Sequence, residues 1–213
     1  MIRNLIGAAG TAFLLLATGA GSANAQDFRD ACREADGDHI VFLIDQTQVY
    51  DRVDRRRFSR GLVSFFNSLR HGDYLEIFTI GPTPGTQVPL WQACVPGCET
   101  PRGKNNWEVQ CDIVTQQAKR QFGSRLLEGA RNAALNARDA EGTPLIWTLT
   151  SLSQDMEGNP VDRLVLFSDM IEYSALSKRI TTFDPDFADT FLRRIKGDIT
   201  FGTGLQGAEF VAW

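Results

Sequence analysis

The sequence is poor in histidine, has no excess of positive charge and lacks an unbroken apolar run long enough to span a membrane. It contains only two histidines, and neither His39 nor His71 has an acidic or nucleophilic partner nearby in the sequence, so we treat both as incidental. Lysine and arginine number 22 against 26 aspartate and glutamate residues, which gives a net charge of −4. This mild acidity argues against a general affinity for nucleic acid or anionic membranes.

Residues 1–25 have the order of features that is typical of a cleavable secretory signal peptide. Arg3 precedes an apolar run, and small residues follow at Ala23 and Ala25. The run is shorter than the roughly 20 apolar residues of a membrane-spanning helix. The residue directly after Ala25 is Gln26 and not a cysteine, so a bacterial lipid anchor has no attachment residue. We predict export to the periplasm or the exterior of a bacterial cell, with no membrane span after cleavage.

The mature part, residues 26–213, has the length of one domain and contains all four cysteines, which are Cys32, Cys94, Cys98 and Cys111. An even number of cysteines in an exported chain favours disulfides, and the sequence leaves three pairings open. Zinc is the alternative because Cys94 and Cys98 are close, but no histidine lies near them. We predict structural disulfides.

Alternating strand-like and helix-like segments predict an α/β fold with a mainly parallel sheet and helices on both faces, a three-layer α/β/α arrangement. Continuous apolar runs indicate buried strands at 39–44, 74–80 and 163–168, and a last strand begins at 208. Helical spacing of apolar residues occurs at 54–69, 116–138, 143–152 and 185–195. Residues 82–112 have little periodicity and predict a loop or small hairpin held by the disulfides, with Trp91 and Trp107 in its local core.

Three consecutive arginines, Arg55, Arg56 and Arg57, lie early in the helix at 54–69. Such a run can contact phosphate or nucleic acid. In an amphipathic helix it is more often the solvated face, and this is the interpretation that we favour.

Polar residues that could share a site follow two of the predicted strands. Asp45 and Thr47 come after the first strand and Asp169 follows the strand at 163–168, while Thr143 opens a later helix. Loops at the carboxyl ends of parallel strands converge, so these oxygen atoms could meet and bind Mg²⁺ or Mn²⁺. Each residue also has a structural alternative: an aspartate can cap the next turn or helix, and Thr143 before Pro144 fits a helix N-cap.

The order Asp-x-Thr at 45–47, Gly-Thr-Pro-Leu at 142–145 and Ser-Asp at 168–169 resembles the von Willebrand factor A domain and its metal-ion-dependent adhesion site. The resemblance implies that Asp45, Thr47, Thr143 and Asp169 hold the ion, directly or through water. The family has a serine at the third position of the first motif, where this chain has Val49, so the site is partly degenerate. Tyr50 and Asp51 are near enough in sequence to substitute.

The resemblance also implies a Rossmann-like architecture over most of the mature chain, with the cysteine-bearing stretch at about 82–112 as an insertion. It implies a further strand and a terminal helix beyond Trp213. One interpretation is therefore that this sequence is a fragment.

The function that this resemblance implies is an exported binding module that recognises a partner protein through the adhesion-type site; we do not predict an enzyme. One alternative is a metal-free scaffold in an envelope or secretion assembly. Another is a Mg²⁺-dependent phosphohydrolase of the haloacid dehalogenase kind with Asp45 as nucleophile. That class needs an acid where this chain has Thr47, and a lysine in a region that has none between Lys119 and Lys178.

Overall fold

The computed structural model describes residue 32 and residues 37–82, 89–140, 143–168 and 202–212. The predicted signal peptide, the predicted helix at 185–195 and the candidate ligand Asp169 lie outside these described residues.

Five strands form one sheet in the order β3-β2-β1-β4-β5. They are β1 (His39–Asp45), β2 (Tyr74–Ile80), β3 (Trp91–Cys94), β4 (Arg163–Phe167) and β5 (Glu209–Ala212). Neighbouring strands are parallel except β3, which runs antiparallel to β2. The prediction of an α/β fold with a mainly parallel sheet is confirmed at this level, and the apolar runs of β1, β2 and β4 are buried as expected.

Three helices accompany the sheet: α1 (Arg52–Ser68), α2 (Ile113–Leu135) and α3 (Leu145–Asp155). Each lies within three residues of its predicted bounds. The Asp51 carboxylate accepts hydrogen bonds from the Val53 and Asp54 amides at the start of α1. The Asp54 carboxylate in turn accepts a hydrogen bond from the Asp51 amide. Among the described helices, none combines the length and the apolar composition that crossing a bilayer requires.

The two faces of β1 belong to two different hydrophobic clusters. Ile40, Phe42 and Ile44 lie in the cluster that contains the buried side chains of α1 and α2. Val41 and Leu43 lie in the cluster that contains those of α3. Because successive side chains of a strand point to opposite faces, an apolar residue is needed at each of the five inner positions of β1, from Ile40 to Ile44. This explains the unbroken apolar run that identified the strand.

Part of the stretch at 82–112, which was predicted to be a loop or small hairpin, belongs to the main sheet. Trp91–Cys94 is the edge strand β3, and its partner is β2, with Ile77 opposite Trp91 and Tyr74 opposite Cys94. A four-residue strand that contains Gln and Cys carries too little apolar pattern to be recognised without its partner. The sheet therefore extends into the cysteine-bearing region.

Two disulfides hold this region, as predicted, and the zinc alternative is wrong because no described cysteine is free. Cys32 pairs with Cys94 across 62 residues, and Cys98 pairs with Cys111 across 13 residues. Loop-closure entropy alone makes such cross-links worth about 4 and about 3 kcal/mol. The longer link joins β3 to Cys32, which precedes β1 in the chain, and the shorter one closes the loop before α2.

Trp107 and Lys119 attach the cysteine loop to the body of the domain. The Trp107 indole stacks on Phe66 with ring centroids 4.0 Å apart and donates a hydrogen bond to the Phe66 carbonyl. The Lys119 ammonium donates to the carbonyls of Asn106 and Val109, and burial lowers the pKa of this lysine. The tryptophan therefore packs against the main core as well as within its own loop.

Candidate functional site

The candidate site lies where the order of the strands reverses. From β1 the chain first builds outward through β2 and β3, then returns to the other side of β1 with β4 and β5. In an open α/β sheet the crevice at the carboxyl ends of the two strands flanking this point is the usual place for a ligand. Asp45 ends β1, and Ser168 directly follows β4.

Asp45 is fully buried, and hydroxyl groups bind both of its carboxylate oxygens. Oδ1 accepts hydrogen bonds from the Thr47 amide at 2.9 Å and from the Thr47 hydroxyl at 2.6 Å. Oδ2 accepts one from the Ser168 hydroxyl at 2.7 Å. The Asp45 side chain is 0% exposed, so these contacts, rather than bulk water, solvate its charge.

Thr143 completes the cluster from a third segment of the chain. Its hydroxyl contacts the Thr47 hydroxyl although the two residues are 96 positions apart. The alternative that Thr143 is the N-cap of the helix is wrong: α3 begins after Pro144, and no side chain caps it. A hydroxyl that could have satisfied the helix end is directed into the cluster instead.

Three of the four predicted ligands therefore come together, and a fourth residue, Ser168, joins them. We use the name hydroxyl cluster for the Asp45 carboxylate together with the three hydroxyls around it, those of Thr47, Thr143 and Ser168. Asp169, the remaining predicted ligand, lies outside the described residues. Ser168 was not among the predicted ligands, although its position directly after a buried strand and before Asp169 was a signal that could have identified it.

The residues next to the first motif have other roles. Val49 is about half exposed and donates its amide to the Asp139 carboxylate. The Tyr50 hydroxyl donates to the backbone carbonyl of Asp45, and Asp51 caps α1. In this arrangement neither Tyr50 nor Asp51 supplies the oxygen that is missing at Val49.

The segment at 138–140 closes one side of the cluster. The Arg138 amide donates to the Gln46 carbonyl at 3.1 Å, and the Ala140 amide donates to the Thr47 carbonyl at 2.8 Å. Asp139, between them, is an exposed carboxylate held at the rim by its bond to Val49. Sequence reasoning did not predict this residue, because its position depends on the loop that follows α2.

The cluster offers hard oxygen donors with a single carboxylate. No group of three or more His, Cys, Asp or Glu side chains that could hold a metal ion occurs among the described residues. Neutral hydroxyls can ligate a hard cation, but they contribute little charge, so Mg²⁺ would keep several of its waters here. The donor set therefore fits a weakly held Mg²⁺ or Mn²⁺ and does not fit zinc.

A second buried polar group lies at the opposite end of β1. His39 Nε2 is 2.8 Å from the Glu76 carboxylate, and both residues are buried. His39 Nδ1 lies 3.2 Å from the carbonyls of Asn159 and Pro160, and the Tyr74 hydroxyl donates to Glu76. Treating His39 as incidental was therefore wrong: its acidic partner is 37 residues away in sequence but adjacent in the sheet.

No family model matches this chain, and no curated protein matches its sequence. The hydroxyl cluster is therefore interpreted on its own geometry.

Proposed function

We propose that this protein is an exported binding module in which the hydroxyl cluster holds a divalent cation and, with it, an acidic group of a partner protein. The observation that supports this proposal is the buried Asp45 carboxylate at the reversal of strand order, surrounded by hydroxyls from three separate segments. A purely structural aspartate at a strand end needs only the amide of the next turn.

The cation, Mg²⁺ or Mn²⁺, would be held by the Thr47 and Thr143 hydroxyls, with Asp45 and Ser168 behind them. The ion supplies positive charge that attracts a carboxylate of the partner. The protein residues fix its position: Asp45 orients the Thr47 hydroxyl through a bond of 2.6 Å, and the segment at 138–140 holds the Thr47 backbone. With only one described carboxylate in the set, the partner's own carboxylate would complete the charge balance.

The fold is consistent with the resemblance to von Willebrand factor A domains, which we retain as part of the proposal. The two hydrophobic clusters on opposite sheet faces support a three-layer, Rossmann-like arrangement. The motif residues at 45, 47 and 143 lie together, as the adhesion-site resemblance implies. The proposal includes Asp169 as a further, water-linked ligand.

A metal-free scaffold is the second candidate. The observation that favours it is Val49, which is about half exposed and has no ligating atom at the third motif position. The hydroxyls of the cluster also satisfy Asp45 without an ion. For the phosphohydrolase alternative, Asp45 would have to attack a substrate, and its full burial with both oxygens hydrogen-bonded does not favour that role.

Calorimetric titration of the mature chain with Mn²⁺ and with Mg²⁺ tests the proposal. We expect saturable binding that is weakened at least about tenfold in Asp45→Ala and in Thr143→Ala, since second-sphere and direct ligands each contribute factors of about 10 to 100. The matched control is Thr150→Ala. This variant removes another buried hydroxyl from α3, one that donates to the Ile146 carbonyl and lies outside the cluster.

Each outcome selects one candidate. Binding that is lost in Thr143→Ala and kept in Thr150→Ala supports the cation site. Absence of binding to the wild-type chain contradicts it and leaves the scaffold. Turnover of a phosphate ester that requires Asp45 would replace both with the enzyme.

A further inference from the structure

The exposed face of α1 carries a row of arginines that the proposed cation site does not use. Arg52, Arg56 and Arg60 are all exposed and lie four residues apart, so they form one ridge along the helix, which we call the arginine stripe. The opposite face buries Phe58, Leu62 and Phe65. The stripe therefore points away from the domain.

None of the three arginines forms an ion pair with another described residue. In the part of the chain that the structure describes, ion pairs link Arg70 to Asp38 and Asp73, and none includes an arginine of α1. The Arg60 side chain donates to the backbone carbonyl of Arg56. Three like charges at a spacing of four residues repel one another.

Their position in the helix adds a second unfavourable term. Arg52 is the first residue of α1, where the partial positive charge of the helix end disfavours a cation. The chain as a whole has a net charge of −4, so this local concentration of positive charge runs against its average composition. A concentration of like charge that is unfavourable for its own helix is expected more often at a functional site than elsewhere.

From these observations we infer that the arginine stripe is a docking surface for an acidic segment of a partner protein. The backbone positions of neighbouring arginines in the stripe are separated by about 6 Å along the helix axis, because each residue rises about 1.5 Å. Alternate side chains on one face of an extended peptide are separated by about 6.6 Å. A segment with an acidic residue at every second position therefore matches the stripe.

The neighbouring residues favour a protein over nucleic acid or a membrane. Val53 and Val63, each about half exposed, lie on the same helix face as the stripe and add apolar surface. Arginine beside apolar side chains is typical of protein interfaces. The stripe is also short, about 12 Å from Arg52 to Arg60, and the rest of an acidic chain repels a long polyanion.

The inference goes beyond the proposed function, since the stripe needs no cation. Binding is measured in EDTA by fluorescence anisotropy of a labelled peptide in which glutamate and serine alternate. We expect the triple variant Arg52→Glu, Arg56→Glu, Arg60→Glu to bind the peptide at least about tenfold more weakly than the wild type. The glutamine–serine version of the peptide should not bind.

The matched control reverses three exposed arginines on α2, in Arg120→Glu, Arg125→Glu, Arg131→Glu, and should change the affinity less than about twofold. Circular dichroism checks folding, and glutamate near the start of α1 is favourable to the helix. Any of three results would overturn the inference: the stripe variant binds the peptide as tightly as the wild type does, the α2 variant loses as much affinity as the stripe variant, or the wild type does not bind the peptide. DNA and anionic vesicles are tested in the same way. If either binds as tightly as the peptide and loses affinity equally in the stripe variant, the choice of a protein partner is overturned.

Discussion

The two ends of β1 carry two buried polar groups of different character. At the amino end, His39 and Glu76 are joined at 2.8 Å, two backbone carbonyls face His39 Nδ1, and the Tyr74 hydroxyl donates to Glu76. At the carboxyl end, Asp45 is bound by the rotatable hydroxyls of Thr47 and Ser168, and Thr143 contacts Thr47 in turn. Both ends are buried, yet only the second one lies at the reversal of strand order.

The pair at the amino end of β1 stabilises the fold, whereas the polar group at the carboxyl end can exchange its hydrogen-bond partners. The His39 ring faces the Glu76 carboxylate of β2 on one side and the backbone carbonyl of Asn159 on the other, so it links two separate segments of the chain. Hydroxyls can rotate and offer a lone pair to an ion without moving the backbone. We therefore expect substitutions at the amino end to act on stability and those at the carboxyl end to act on binding.

The largest expected effect is on the amino end. His39→Ala leaves the Glu76 carboxylate, which is 1% exposed, without its imidazole partner, and we expect a loss of roughly 3 kcal/mol in the free energy of unfolding. Urea denaturation measures it. The control is His71→Ala, an exposed site where the change should stay within about 0.5 kcal/mol. A loss below about 1 kcal/mol in His39→Ala would contradict the structural role of the pair.

The carboxyl end of β1 was predictable from the sequence and the amino end was not, for a physical reason. Asp45 interrupts an apolar run, and its partner Thr47 is two residues away, so the chain itself displays the motif. The pairing of His39 with Glu76 requires the register of β1 against β2, in which His39 lies opposite Tyr74. Strand register depends on tertiary packing, which no local pattern records.

The fold, like the two ends of β1, was predictable from the sequence only in part. Strands buried on both faces, such as β1 and β4, show continuous apolar runs, and the helices show their apolar spacing. The edge strand β3 is partly exposed along its whole length, so burial imposes no such run on it. Helix α3 begins two residues later than predicted, because Pro144 is its N-cap and the Thr143 hydroxyl contacts Thr47 instead of the helix end.

The next prediction tests the carboxyl end by adding a ligand. Val49→Ser restores the hydroxyl that the family resemblance expects at the third motif position. Because Val49 is 52% exposed, the change should leave the free energy of unfolding within about 0.5 kcal/mol. We expect Mn²⁺ affinity to rise about tenfold, equivalent to about 1.4 kcal/mol, in calorimetric titration.

Val53→Ser is the matched control for this gain. Val53 is exposed to the same extent, 52%, but lies in the first turn of α1. Its substitution should not change the affinity for the ion. Equal affinities of Val49→Ser and the wild type would show that the loop does not present position 49 to a cation, and would favour the metal-free scaffold.

The smallest expected effect separates a helix cap from a ligand at Asp51. Bonds from the Asp54 and Val53 amides hold the pKa of the Asp51 carboxyl below its ordinary value of 3.8. A carboxyl whose pKa is lower in the folded state stabilises the fold above its unfolded pKa, and this contribution is lost as pH falls through the folded pKa. Asp51→Asn should therefore be slightly less stable than the wild type at neutral pH, and the difference should shrink below pH 3.8.

Urea denaturation across this pH range measures the effect, and Glu128→Gln, which removes an exposed charge from α2, is the control without such a trend. Mn²⁺ affinity at neutral pH should be the same in Asp51→Asn and the wild type, because the Asp51 side chain is engaged with the amides of α1. A loss of affinity would place Asp51 in the cation site. It would mean that the helix start, as well as the strand end, contributes to binding.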